Sequence, residues 1–311
     1  MFRGIKIALL AAMLASPALA QKQVELVSAL PVVGSGGQIG IGITQILNTV
    51  QKEREYKFAV SMGAAGDVAA MRAIVNAKQN QDTVFYTGIS TITANRITNP
   101  TANFDRDKDF VISVGIGKNT LGVLVAGDSS IKNIDELAAL IKSKPKTYSG
   151  GTLTAPAASM MNDVFLKRYG LEGRVEEIKY KSVPEIVLAV QNKEIDYTVF
   201  TMPDMIGLKA LLVSSDERMK TFPEAPTGKE IGFTEFNLQS ILLFAVPKER
   251  AGFVKTFEAD MKLACAHPDF KKVAELRAPY LSYCMDPKET EATIKNELAF
   301  INRVYNPKAS N

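Results

Sequence analysis

Residues 218–233 read RMKTFPEAPTGKEIGF, and the spacing of that stretch decides how the rest of the chain is read. Its fixed points are Arg218, Pro223, Pro226, Thr227, Glu230, Gly232 and Phe233, in the pattern R-x4-P-x2-P-T-x2-E-x-G-F. Two prolines and a glycine restrict the backbone at set positions, which predicts a rigid connector. An apolar, strand-like run at 210–213 precedes it and another at 240–246 follows it. No catalytic residue type stands out inside it.

Outward from the connector, strand-like and helix-like patterns alternate, which indicates parallel α/β packing. Strands are predicted at 24–30, 57–62 and 82–88, with helical apolar spacing at Ile39, Ile43, Ile46, Leu47 and Val50 and again at Val68, Met71 and Val75. Two strand-like runs, 110–116 and 121–126, are separated by Gly117-Lys118-Asn119-Thr120. Further strands are expected at Tyr148, 175–180, 195–200 and 210–213, and mostly helix from Lys248 onward. Helix starts are marked by Asn133, by the capping box at 182–185 and by Asp286 before Pro287. The mature chain exceeds the roughly 250 residues at which single cores split, so two lobes are expected. A second lobe without terminal segments of its own is best placed as an insertion. This gives lobe 1 as 21–118 plus 238–311, lobe 2 as 119–237, and a hinge of two crossing segments beside a cleft.

Residues 1–20 read as a secretory signal peptide: Arg3 and Lys6, an apolar core at 7–15, then Ala18-Leu19-Ala20 as the cleavage motif. Cleavage after Ala20 would start the exported mature chain at Gln21. Gln21, not a Cys, stands directly after the cleavage motif, so no lipoprotein anchor is expected. The chain has 37 Lys and Arg against 33 Asp and Glu, and loss of Arg3 and Lys6 leaves 35 against 33. So small a charge, without basic blocks, leaves no footprint for nucleic acid or a membrane surface. Cys265 and Cys284 are the only cysteines. In an exported chain an even pair suggests a disulfide, with two buried thiols as the alternative.

Three glycine-rich stretches follow predicted strands: 34–37 (GSGG), 62–66 (MGAAG) and 148–152 (YSGGT). Glycine permits a sharp turn and close approach, and a helix N-terminus offers unpaired N–H groups to an anion. Each stretch alone is also what an ordinary strand–helix turn uses. Asp67, as a helix N-cap, would compete for those donors and repel an anion. Arg72, Arg96 and Arg106 are candidate clamps, for which surface pairing is the alternative.

With the connector and the signal-like start, the chain resembles the periplasmic receptors of tripartite tricarboxylate transporters, the TctC or Bordetella-uptake-gene (Bug) type. The P-x3-G-G-x2-D loop of that family resembles the stretch from Pro31 to Gly36-Gly37, with one extra residue and Gly40 in place of Asp. Its N-x2-G-A-x-G loop resembles 62–66 with Val60 in place of Asn, and its Y-K-G-x2-[PA] turn resembles 180–184 with Ser182 in place of Gly. Residues 128–137 match the usual start of lobe 2. The resemblance implies a two-lobed, type II periplasmic-binding-protein fold of the α/β class. It implies capture of a small carboxylate for membrane transporter subunits, by a protein expected to act as a monomer without cofactor. The implied ligand contacts are Ser35, Gly36, Gly37 and Gln38 at one end, with Ala64, Ala65 and Gly66 nearby. Ser149, Gly150, Gly151, Thr152 and Tyr180 are the candidates from lobe 2.

Enzyme chemistry finds little support in the residues. The only His, His267, stands before Pro268, and no G-x-S-x-G, H-E-x-x-H or Walker pattern occurs. Gly115 and Gly117 lack the third glycine of a dinucleotide loop. One His and two Cys do not make a usual zinc site. Ser129 and Lys132 form S-x-x-K, so a secreted hydrolase using them is the alternative from another class. A module that feeds a sensor is the other alternative.

Overall fold

A computed structural model of the chain describes residues 21–61, 66–94, 102–153, 156–180, 182–201, 207–277 and 283–305. The segment read as a signal peptide lies outside the described residues, as do Ala64, Ala65 and Arg96. The described elements begin with β1 (Lys22–Ser28), α1 (Ser35–Val50), β2 (Arg54–Val60), α2 (Asp67–Lys78) and β3 (Asp82–Gly88). Short helices α3 (Ile89–Thr93) and α4 (Arg106–Asp109) lead into β4 (Phe110–Ala126). Next come α5 (Ile134–Ser143), β5 (Ser149–Leu153), α6 (Pro156–Tyr169), β6 (Glu176–Tyr180), α7 (Val183–Gln191), β7 (Tyr197–Thr201) and β8 (Leu208–Val213). The chain closes with β9 (Gln239–Pro247), α8 (Val254–Ala266), α9 (Pro268–Arg277), β10 (Cys284–Met285) and α10 (Pro287–Tyr305).

The strands run in the order β2-β1-β3-β9-β4-β7-β5-β6, and β8 and β10 also pair with β4. β1 is parallel to β2 and β3, and β5 is parallel to β6 and β7. The two parallel sections are joined by β4, whose first part pairs with β9 and whose last part pairs with β7 and β8. Residues 117–120 were expected to separate two strands; instead β4 runs straight through them. Asn119 and Thr120 keep their register against Ser240 and Gln239, while Gly117 at φ 34° and two register shifts absorb the twist. Leu121 is then the residue at which β4 changes partner. The fully buried Ser214 locks that point. Its hydroxyl accepts from the Leu121 N–H at 3.0 Å and donates to the Leu238 carbonyl at 2.6 Å.

Helices cover both faces of each section, which is why the strands read as near-continuous apolar runs. Val24 and Leu26 of β1 pack with α1 and α8, while Val27 points the other way toward Ala69, Ala73 and Ile74 of α2. In the second section Leu121, Val123 and Val125 face α5 and α6, and Leu124 and Ala126 face α7. The long α10 serves both sections: Ile294 packs in the first, Phe300 and Ile301 in the second.

The 218–233 connector is rigid for visible reasons. Arg218 Nε donates to both Glu230 carboxylate oxygens at 2.9 and 3.0 Å, and its guanidinium also donates to the Pro223 carbonyl at 3.0 Å. Glu230 in turn accepts from the Thr227 N–H at 2.8 Å, and the Glu230 N–H donates to the Thr227 hydroxyl at 3.2 Å. The Val213 N–H donates to the Pro226 carbonyl, so the connector folds back on the end of β8. Gly232 adopts φ 66°, and Phe233 is buried against Phe236 with the Arg168 guanidinium 5.4 Å above its ring. The fixed points of the sequence pattern are therefore the fasteners of one turn.

A disulfide and a buried ion pair tie α8 to the first section. Cys265 and Cys284 form a disulfide with their Cα atoms 6.1 Å apart, linking α8 to β10. Asp260 of α8, almost fully buried, accepts from Arg54 Nε at 2.7 Å, from a second Arg54 nitrogen at 2.9 Å and from the Tyr56 hydroxyl at 2.6 Å. Removing Asp260 leaves the mostly buried Arg54 with only the exposed Glu53, at 2.9 Å, as an ionic partner. Asp260→Ala should therefore cost about 3 kcal/mol or more in urea denaturation followed by circular dichroism. A loss below about 1 kcal/mol would show that water reaches Arg54.

Candidate functional site

A cavity of about 160 Å³ lies where the two sheet sections meet. It is lined at the C-terminal ends of five strands: Leu30, Pro31 and Gly34 to Gly37 after β1, Gly88, Ser90 and Thr91 at the end of β3, Leu153, Pro156, Ala157 and Ala158 at the end of β5, Val183 after β6, and Phe200 and Thr201 of β7. Open α/β sheets bind ligands at such ends. The floor comes from the crossing strands, through Asn119 of β4 and Ser240 and Leu242 of β9. Lys118, Thr120 and Gln239 alternate with these and line cavities on the opposite face.

No ionisable side chain lines this cavity among the described residues. Its polarity comes from hydroxyls (Ser35, Ser90, Thr91, Thr201, Ser240), one amide (Asn119) and helix N-termini. α1, α6 and α7 all point their first turns at it, as does the short α3. α1 starts after Gly34, which has no side chain to cap it, and has no acidic residue in its first turn. Its first-turn donors and its dipole therefore favour an anion. The Tyr86 hydroxyl fixes this turn by donating to the Gly36 carbonyl at 2.7 Å. Burial pushes that phenol well above its usual range, so it remains a donor. Asn119 Oδ1 is buried without a hydrogen-bond partner among the described residues.

Ser35, Gly36 and Gly37 line the cavity. The two glycines have a packing reason of their own. A Cβ on Gly37 would lie 2.0 Å from the Pro31 carbonyl oxygen, and one on Gly36 would lie 2.8 Å from Leu30. Gln38 does not line the cavity; its amide donates to the Val32 carbonyl and pins the loop before the helix. Gly66, at φ 83°, is the N-cap of α2, and a Cβ there would meet Thr91 of the cavity wall at 2.4 Å. The cap is therefore Gly66, not Asp67. The Asp67 carboxylate instead accepts from the Asn103 N–H at 2.8 Å and from its side-chain amide at 3.0 Å.

Ser149, Gly150, Gly151 and Thr152 were expected in a loop ahead of a helix, but they form β5. Their glycines make room for neighbours: Cβ atoms would meet the Tyr197 ring and Ile195, each at 2.4 Å. The Thr152 hydroxyl accepts from Lys179 Nζ at 2.8 Å, and Tyr180 closes β6 beside Gly151. The cavity is reached instead by Leu153, the last residue of β5, and by Pro156, Ala157 and Ala158 in the first turn of α6. Pro156 at the first helical position was the available signal. Gly88, Ser90 and Thr91 were also missed, although they follow a strand that the apolar run at 82–88 had marked.

The remaining candidates sit elsewhere. Arg72 pairs with Glu25 and donates to the Ser61 hydroxyl, and Arg106 pairs with Glu291 at 2.9 Å. His267 Nδ1 accepts from the Asp269 N–H at 3.2 Å, in the break between α8 and α9. The Ser129 hydroxyl accepts from the Ile131 N–H at 3.3 Å, inside the turn before α5.

Solved structures share this architecture. The periplasmic binding protein BugD is 16% identical over 91% of this chain and 97% of its own, with a TM-score of 0.74. MatC from Rhodopseudomonas palustris, solved with malate, is 16% identical over 90% and 98%, with a TM-score of 0.72. Another R. palustris protein, solved with adipate, is 16% identical over 92% and 96%, with a TM-score of 0.79. The fold is thus that of a periplasmic binding protein. A search among curated proteins found no match. The family model described as "Tripartite tricarboxylate transporter family receptor" (TctC) matches residues 18–305, and the chain belongs to that family.

Two glycines separate packing from access. A Cβ on Gly88 would meet nothing within 4 Å, although Gly88 lines the cavity. Gly88→Leu should keep wild-type stability to within about 0.5 kcal/mol in urea denaturation. Gly37→Ala should lose more than about 2 kcal/mol, because its Cβ meets fixed backbone. Equal losses would mean that the space beside Gly88 is filled.

Proposed function

We propose that the chain is a periplasmic receptor that captures a small carboxylate in this cavity and presents the closed form to the membrane subunits of a transporter. The observation that carries the reading is the meeting of helix N-termini in a cavity without an ionisable side chain among the described residues. Such a site supplies donors and partial positive charge, and it sets no fixed charge against a carboxylate. Its volume is below that of drug-sized pockets, which suits a metabolite. The malate and adipate held by two relatives of the same fold are dicarboxylates, and that class is the one proposed here. The signal-like sequence of residues 1–20 supports export, with cleavage after Ala20 as its proposed end.

The site residues proposed are Ser35, Gly36 and Gly37 for the carboxylate, with Ser90, Thr91 and Asn119 around the rest of the ligand. Ala64, Ala65 and Gly66 remain proposed neighbours of the carboxylate end. Lobe 1 is proposed as 21–118 with 238–311 and lobe 2 as 119–237, closing about β4 and the segment that leads into β9. Binding then shifts an open–closed equilibrium toward the form that the partner reads.

A thermal-shift panel of mono-, di- and tricarboxylates, with sugars, amides and amines as controls, tests the reading. At a hundredfold excess over Kd a bound member should add about 2.7 kcal/mol of stability. A dicarboxylate should give the largest shift, and Gly88→Leu should abolish it. A panel in which only sugars or amines act would overturn the reading.

A further inference from the structure

Ser90 on the cavity wall is hydrogen-bonded to a carboxyl group from the other side of the molecule. Its hydroxyl lies 2.5 Å from Glu297 Oε1 of α10, and both residues are more than nine-tenths buried. Glu297 Oε2 has no hydrogen-bond partner among the described residues. No ion pair to Glu297 occurs among the described residues either. α3 faces it with the Ser90 and Thr93 hydroxyls. The charged groups lining the polar cavity on its far side are Lys118 of β4, Asp216 of the segment after β8, and Arg303 of its own helix.

We propose that Glu297 is a positioning residue that sets the hydrogen-bond polarity of Ser90, so that a carboxylate and one proton enter the protein together. The inference rests on the carboxylate reading of the cavity. A serine hydroxyl has one proton and two lone pairs. While Glu297 is ionised, its Oε1 accepts the hydrogen bond from the Ser90 O–H, and Ser90 turns lone pairs toward the ligand. Those repel a carboxylate. Once Glu297 is protonated, its O–H donates to the Ser90 oxygen, and the Ser90 proton becomes available to the ligand. The only bond made is the O–H of Glu297, whose proton comes from solvent; no bond between heavy atoms changes. Burial supports this by pushing the Glu297 carboxyl up to about 7, with Ser90 and Thr93 pulling the other way. A ligand that prefers the protonated form raises that value further, so affinity is highest in acid and falls as pH rises through it.

Calorimetric titration of the mature protein from about pH 6 to about pH 8.5 tests this, above the range where the probes' own carboxyls titrate. Malate and adipate are the probes, followed by the other carboxylates of the panel if neither binds. Wild-type Kd should rise by about tenfold per pH unit above about pH 7, with about one proton taken up per ligand. Two buffers of different ionisation enthalpy measure that uptake directly. Glu297→Gln should keep the acid-limb affinity at every pH, because its amide donates to Ser90 as the protonated acid does. Ser90→Ala should bind more weakly and also lose the pH dependence. A pH-independent wild type with no proton uptake would overturn the proposal, as would Glu297→Gln or Ser90→Ala with the wild-type slope. If Glu297→Gln does not fold, the wild-type proton uptake and Ser90→Ala still decide. A panel with no binder at any pH would remove the carboxylate reading and this inference with it, whereas binding without proton uptake would remove only the inference.

Discussion

The first turn of α1 follows an N-cap without a side chain, Gly34, and much of the structure serves to hold that turn in place. Pro31 lies against Gly37, Leu30 against Gly36, and the Tyr86 hydroxyl fastens the Gly36 carbonyl from below. The Gln38 amide ties the preceding loop through Val32. Such a turn favours an anion on physical grounds alone. Its backbone donors contribute charge complementarity without an arginine or lysine, whose counterion would have to be displaced on binding.

That turn has a facing wall because β4 does not stop at the boundary between the two sheet sections. Its alternation puts Asn119 on the cavity floor and Lys118 and Thr120 on the reverse face. Ser214 locks the change of partner at Leu121, and the 218–233 connector then returns the chain to β9 with little freedom of its own. Closure, as proposed, would bend these two crossings while the helices on either side move as units. α10 spans both sections on the reverse face, and Glu297 lies on it between the residues that pack in each. This placement lets a residue of the last helix touch the wall of a site built mainly by the first two-thirds of the chain.

Fold and site were legible to different degrees. The alternating pattern, the Asn133 and Asp286 helix starts and the cysteine pair each depend on local or compositional rules, and the structure contains all of them. The connector's fixed points were visible, but not their purpose, since the Arg218–Glu230 pairing exists only once the turn has closed. The glycines of 149–152 misled because glycine has two uses. It can let a ligand approach, or it can leave room for a ring such as Tyr197 on the next strand, and sequence spacing does not separate the two. Ser90, Asn119 and Ser240 carry no motif; strand order alone brings them to one cavity. The Ser90–Glu297 contact joins residues 207 positions apart, beyond the reach of any local pattern.

The central claim is that the backbone of the first helical turn holds the anion. Amide chemical shifts of residues 21–311, followed by NMR while the tightest-binding carboxylate is added, test it most directly. The account predicts that the Gly36 and Gly37 amide protons move downfield and saturate with the binding curve. Unmoved amides there, with the changes concentrated in β5 or the first turn of α2, would contradict it.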